Sequence, residues 1–223
     1  MNYLAHIHLA HTANSSKLGN FMGDFVKGSQ YRDLPDEIAR GVLLHRKIDA
    51  YTDAHPLVMV LKRKFPDDLR RVSGIVIDVY FDHLLCKCWN ALATHSMQSM
   101  LDAFYSELED PMFGFDKQDS LKLSKRFIQV KASLIEYRWL EDYKKIDAVE
   151  RALASIEARL AKRLKARALE HKSEEVVFGK TAMTFLSNNA QHFENVFPDF
   201  YQDVQIFAKN KATELSAVAF RSS

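Results

Sequence analysis

The chain has 223 residues, 47% of them hydrophobic, with 15 Phe and 8 Tyr, enough apolar material for a real core. Only 7 Gly and 5 Pro argue against a loop-rich or all-β protein, and 31 basic against 29 acidic residues leave a formal charge of +2, so overall charge does not name a partner. No apolar run approaches transmembrane length, and "MNYLAHIHLAHTAN" has neither a basic n-region nor a clean apolar h-region, so a cytoplasmic protein with no stable membrane association is expected.

In chain order, the first thirteen residues set His6, His8 and His11 among Leu, Ile and Ala, and read as a short extended segment leading into a helix. "SSKLGNFMGDFVKG" begins with cap-forming serines and places Leu18, Phe21, Met22 and Phe25 at helical spacing, with Asp24 in the last turn and Gly28 as the stop. "DLPDEIARGVLLHRKIDAYTD" opens on Pro35 and two acids, as helices do, and Pro56 limits its end. A short helix then stops near Pro66, and one long apolar helix is expected from about Leu69 to Ala93. "SMQSMLDAFYSELEDPMFGF" is amphipathic and closed by Pro111 and Gly114. Two further helices follow in "DSLKLSKRFIQVKASLIEYRWLEDY" and in the basic "KIDAVERALASIEARLAKRLKARALEHKSEE". The remainder reads as two helices broken around Pro198. With no period-two alternation and no internal repeat, the expected fold is an all-α, compact helical bundle forming one domain over 1–223. Cys86 and Cys88, two apart, suit neither a helix-borne disulfide nor a zinc pair, and read as buried free thiols.

The segment "IVIDVYFDHLLCKCW" carries Asp78, Asp82 and His83 on an otherwise apolar helix. Asp78 and Asp82 are one turn apart, so two carboxylates share a face and repel each other unless something cationic lies against them. His45 and Asp49 make a second one-turn pair. Two solutions remain open: ion pairs with Arg46, Lys47 or Arg70 from another helix, or one or two divalent ions held by Asp24, His45, Asp49, Asp78, Asp82 and His83. His6 and His8 are either groups standing behind the ligands or core histidines.

"MNYLAHIHLA", "GNFMGDFVKG", "LLHRKIDAYTD" and "IDVYFDHLLCKCW", in this order over roughly the first 90 residues, make the chain resemble the bacterial acyl carrier protein phosphodiesterases, also called acyl carrier protein hydrolyases. Proteins similar to it are described as divergent members of the HD phosphohydrolase superfamily, although this chain shows the reversed doublet Asp82-His83. The resemblance implies removal of 4'-phosphopantetheine from holo acyl carrier protein with a divalent ion, commonly manganese. It carries over Asp24, His45, Asp49, Asp78, Asp82 and His83 as active-site residues, with Asp24, His45, Asp82 and His83 expected as metal ligands. Asp49 and Asp78 would ligate as well, or orient a histidine or the attacking water. Arg46 is the expected phosphate contact because its fork engages two oxygens at once. His6, His8, His55 or a metal-bound water would serve as the general acid.

The basic run of the penultimate long helix, Arg159, Lys162, Arg163, Lys165 and Arg167, presents a single-sign face suited to an acidic protein, and the resemblance supplies the acyl carrier protein as that partner. Lys122, Lys125, Arg126 and Lys131 would widen it. The same run also reads as a plain solvated face. Nucleic acid fits poorly with a net charge of +2 and interspersed acids. Two alternative functions stay open: a metal-dependent phosphohydrolase of nucleotides or nucleic acid, and a non-catalytic helical interaction module.

Overall fold

The computed structural model describes residues 1–110, 124–167 and 177–217, with the side chains of 165–167 outside that description. Among the described residues ten α-helices follow one another: α1 Tyr3–Thr12, α2 Lys17–Met22, α3 Asp36–Ala54, α4 Pro56–Arg63, α5 Ser73–Lys87, α6 Trp89–Leu92, α7 Met97–Glu109, α8 Lys125–Tyr137, α9 Ile146–Arg167 and α10 Gly179–Ser216. Short 3-10 turns at Gln30–Asp33, Arg70–Val72 and Trp139–Lys144 join them, and no strand occurs among the described residues. The fold is the all-α bundle expected from the sequence.

The opening residues are helical rather than extended. Tyr3 to Ala10 are all buried, which is how a helix apolar on every side behaves at the centre of a bundle. Its first turn is capped from a distance: the Leu4 and Ala5 amides donate to Asp82 Oδ2 and Oδ1, each at 3.0 Å, and satisfy two N–H groups that a helix end leaves bare. Helix α1 packs against α2, α5 and α10, so a cap from α5 ties the chain's start to its middle.

Helix α2 is capped by Ser16, whose Oγ accepts from the Gly19 amide at 2.9 Å, and it ends at Met22. Asp24 therefore lies beyond the helix, exposed, and not in its last turn. Helices α2 and α3 cross at glycine. A Cβ at Gly19 would lie 2.5 Å from the Ile38 carbonyl oxygen, and one at Gly41 would lie 2.8 Å from the Gly19 Cα. Backbone thus meets backbone at this crossing, which draws Asn20 and His45, each within a turn of it, toward one another.

The apolar helix expected from about Leu69 to Ala93 is divided: Arg70–Val72 is a 3-10 turn, and Cys88 separates α5 from α6. The segment after α8 tightens into the 3-10 turn Trp139–Lys144, with Arg138 in the left-handed region (φ 46°) between them. At the other end of the chain α10 runs through Pro198 without stopping. Phe193, Phe197, Phe200 and Tyr201 around that proline are fully buried. Their burial, about 1.5–3 kcal/mol each, outweighs the roughly 3 kcal/mol that an interior proline costs. Pro111, Gly114 and Lys122 lie outside the described residues.

Candidate metal centre

Three groups converge where α1, α2 and α3 meet. His6 Nε2 lies 3.0 Å from Asp49 Oδ1, His45 Nε2 lies 3.1 Å from Asp49 Oδ2, and the two imidazoles stack with centroids 3.9 Å apart. Nitrogen and oxygen atoms of His6, His45 and Asp49 all lie within 4.8 Å of one another, the one group of this kind among the described residues. Both histidines are buried, while the Asp49 side chain stays 39% exposed and leaves the cluster open on one side.

The proton inventory of the cluster favours a cation. His6 Nδ1 lies 3.0 Å from the Asn20 side-chain amide, which fixes the ring with its Nε2 toward Asp49. Burial, with the His45 ring next, pushes His6 down to about 4, so near neutral pH the ring is uncharged and able to ligate. Burial alone would push the Asp49 carboxyl up. The contacts with His45 and His6 outweigh it and hold Asp49 well below the usual carboxylate range. An uncharged imidazole and a carboxylate held 3.0 Å apart offer a cation a nitrogen and an oxygen donor. In addition, His45 Nδ1 is buried without a hydrogen-bond partner. Two imidazoles and one carboxylate with an open side match the donor chemistry of Mn, Fe or Zn sites.

Gly23 makes room for His45. A Cβ there would fall 2.2 Å from His45 Cγ, so only a bare Cα lets the ring lie as it does. Beyond Asp49, Asp78 Oδ1 lies 3.2 Å from the Met1 amino group, which itself is 3.4 Å from Asp49 Oδ1. Burial pushes that amino group down, but Asp78 and Asp49 overcome it and carry it up to about 11. Burial pushes the Asp78 carboxyl up from its ordinary value, against the pull of the same amino group.

The residues expected from the sequence therefore divide. His45 and Asp49 meet as their one-turn spacing predicts, and His6 joins them from α1. Asp78 and Asp24 lie along the edge of the same region, around Met1. Asp82 is fully buried at the start of α1, and His83 Nδ1 donates to the Tyr143 carbonyl at 2.8 Å. His8 turns away from the cluster, with Nδ1 2.7 Å from the Tyr201 hydroxyl. His55 caps α4, its Nδ1 accepting from the Leu57 amide at 3.3 Å, and pairs with Asp203 at 3.4 Å. Arg46 spends its fork on the chain itself, Nη1 donating to the Gly28 carbonyl at 2.8 Å and Nη2 to the Val26 carbonyl at 2.9 Å. Asn20 and Gly23 were not foreseen, although both stand in the segment "GNFMGDFVKG". Cys86 and Cys88 are free thiols, half-buried rather than fully buried, and burial pushes Cys86 up to about 12. On α9, Lys162 and Arg163 are exposed. Lys165 and Arg167 fall outside the described side chains.

The family model "Acyl carrier protein phosphodiesterase" matches residues 1–204. The chain belongs to the acyl carrier protein phosphodiesterase family. It is 33% identical over 213 residues to a member from Enterobacter sp. (strain 638), covering 95% of this chain and 99% of that one. A member from Klebsiella pneumoniae (strain 342) is 35% identical over 211 residues, again with 95% and 99% covered. The member from Pectobacterium atrosepticum is 32% identical over 212 residues, with the same coverage. No solved structure matches the chain. Membership in this phosphodiesterase family, together with a cluster able to hold an ion, makes the chain an enzyme. Among the described residues no helix is long and apolar enough to cross a membrane.

Proposed function

We propose that the enzyme hydrolyses the phosphodiester joining 4'-phosphopantetheine to a serine of holo acyl carrier protein, releasing 4'-phosphopantetheine and the apo carrier protein. The observation that supports it is the convergence of His6, His45 and Asp49 in a chain whose family is named for this substrate. His6 Nε2, His45 Nε2 and the Asp49 carboxylate would hold a divalent ion, manganese by preference. Such an ion, when bound, supplies Lewis acidity that neutralises phosphate oxygens and acidifies water.

The protein's own groups do the rest. Asn20, 3.0 Å from His6 Nδ1, orients the ring so that Nε2 faces Asp49. Gly23 and the Gly19–Gly41 crossing hold the His45 ring in register with Asp49. Asp78 stands at the open edge beside the Met1 amino group, its carboxyl pushed up by burial and suited to take the proton of the attacking water. The water oxygen bonds to phosphorus as the bond from phosphorus to the serine oxygen breaks, and that oxygen leaves with the proton that Asp78 took from the water. In this reading Asp82 serves the end of α1, and His83 braces α5 against the Trp139–Lys144 turn.

The carrier protein would approach along α9, where Lys162 and Arg163 face solvent beside Arg159. Basic side chains there raise the encounter rate with an acidic partner. Mass spectrometry of holo carrier protein incubated with the enzyme, with and without manganese, tests the reaction. Loss of the phosphopantetheine mass only when manganese is present is the expected result. An unchanged carrier protein in both samples, or turnover of nucleoside phosphates in its place, refutes it.

A further inference from the structure

A cavity of about 500 Å³ opens beside the cluster, between α5, α8 and α9, within the size range of small-molecule sites. Met1 and Asp78 line it, and the Met1 amino group, 3.2 Å from Asp78 Oδ1, is 3.4 Å from Asp49 Oδ1, so the cavity lies next to the cluster. Its floor is apolar, built from Val79, Val130, Ala152 and Ile156. Gln129, Ser133 and Ser155 interrupt that floor with hydrogen-bonding groups.

Two arginines, Arg126 and Arg159, also line it. They lie close enough for Arg126 to be felt at Arg159, whose guanidinium is pushed down from its ordinary value first by burial and next by Arg126. Among the described residues neither is ion-paired with a carboxylate within 4.0 Å, although Asp24 offsets part of the charge from farther away. Arg126 Nη2 donates to the Tyr3 hydroxyl at 2.9 Å, its guanidinium covers the Phe25 ring at 5.0 Å, and its Nε is buried with no partner. Arg151, by contrast, has Asp142 at 3.4 Å. A half-buried Arg126 with an unpartnered Nε, and a second guanidinium on the same lining, suit an anion.

We propose that this cavity is the seat of the 4'-phosphopantetheine arm, with Arg126 and Arg159 pairing with its phosphate and the trough between α8 and α9 taking the chain beyond. The arm alternates methyl and methylene carbon with amides, and the wall alternates apolar side chains with Ser133, Ser155 and Gln129. The two guanidiniums, so placed, would steady the phosphate oxygens that the ion does not reach. Because Arg159 lines the cavity and Lys162 and Arg163 are exposed on the same helix, α9 would join the carrier-docking face to the arm's channel. This inference rests on the reaction proposed above.

The test compares two substrates: holo carrier protein, and bis(p-nitrophenyl) phosphate, a diester with no arm. Ala152→Phe fills the trough, and Arg159→Gln removes a cation without changing length much. Each is checked for wild-type helix content and thermal unfolding. Both are expected to lower the ratio of kcat/KM for carrier protein over the small diester by at least about tenfold, Ala152→Phe chiefly through KM. Calorimetric affinity for free 4'-phosphopantetheine falls in parallel, whereas pantetheine, lacking the phosphate, binds wild type and Arg159→Gln alike. A folded Ala152→Phe that keeps the wild-type ratio overturns the assignment while leaving the reaction intact. If the wild type releases no phosphopantetheine at all, the reaction is wrong and calorimetry judges the cavity alone. Binding of free 4'-phosphopantetheine that Arg159→Gln weakens sustains it, and absence of binding overturns it.

Discussion

Gly23 presents a bare Cα to the His45 imidazole, at a spot where a methyl group would lie 2.2 Å from Cγ and 2.4 Å from Cδ2. The ring could not keep its place against Asp49 if that space were filled. Gly23→Ala is expected to retain the fold at a cost of about 1–3 kcal/mol. Affinity for manganese should drop by roughly 10–100-fold, as when a group supporting a ligand is lost. Metal titration followed by steady-state kinetics checks this. Wild-type affinity in the variant would show that His45 is not held by this contact.

Asp82 makes a different prediction, about stability and pH. Burial pushes its carboxyl up to about 7 against the pull of the Ala5 and Leu4 amides. Between pH 3.8 and about 7 the folded protein holds a proton that the unfolded chain has released. Folding is therefore favoured more by this group as pH falls through that window, and least above it. Asp82→Asn abolishes the titration. The stability difference between wild type and variant should move toward the wild type by up to about 1.4 kcal/mol per pH unit on acidification. Urea unfolding near about pH 7.5 and about pH 5 measures it, and a pH-independent difference contradicts it. Asp82→Ala, which leaves two buried amides without acceptors, should cost roughly 2–5 kcal/mol.

The cluster of His6, His45 and Asp49 predicts how metal acts on the folded protein. Manganese at about a hundred times its dissociation constant should stabilise the wild type by about 2.7 kcal/mol. In His45→Ala and Asp49→Asn that gain should vanish. Thermal unfolding with and without manganese, after stripping by a chelator, reads it without reference to any substrate. An equal upward shift in Tm for both variants would place the ion elsewhere.

Arg46 tests the loop after α2. Its guanidinium donates to the Gly28 and Val26 carbonyls and stands 5.4 Å from the centre of the Tyr31 ring. Arg46→Ala should cost about 1–3 kcal/mol and speed amide exchange in residues 26–31, with little change in KM for the carrier protein. A raised KM at unchanged stability would return Arg46 to the phosphate.

Much of the local structure was legible in residue order. The serine cap read in "SSKLGNFMGDFVKG" is Ser16, which accepts from the Gly19 amide at 2.9 Å, whereas the caps at Ser96 and Ser124 were not read from residue order. The spacing of His45 and Asp49 placed both on one helical face, where they meet at 3.1 Å. The family segments were legible as well, since "GNFMGDFVKG" and "LLHRKIDAYTD" hold Asn20, Gly23, His45 and Asp49.

Helical period tells which residues of one helix share a face, but not which helix lies opposite. That second question depended on packing: glycines let α2 and α3 touch, and α1, apolar all round, took the centre. Asp82 consequently meets the bare amides of α1, while His6, read either as a group behind the ligands or as a core histidine, turns Nε2 toward Asp49. Which polar groups met each other was settled by where the helices crossed, because burial forces each polar atom to find its partner in whatever element the apolar faces bring alongside.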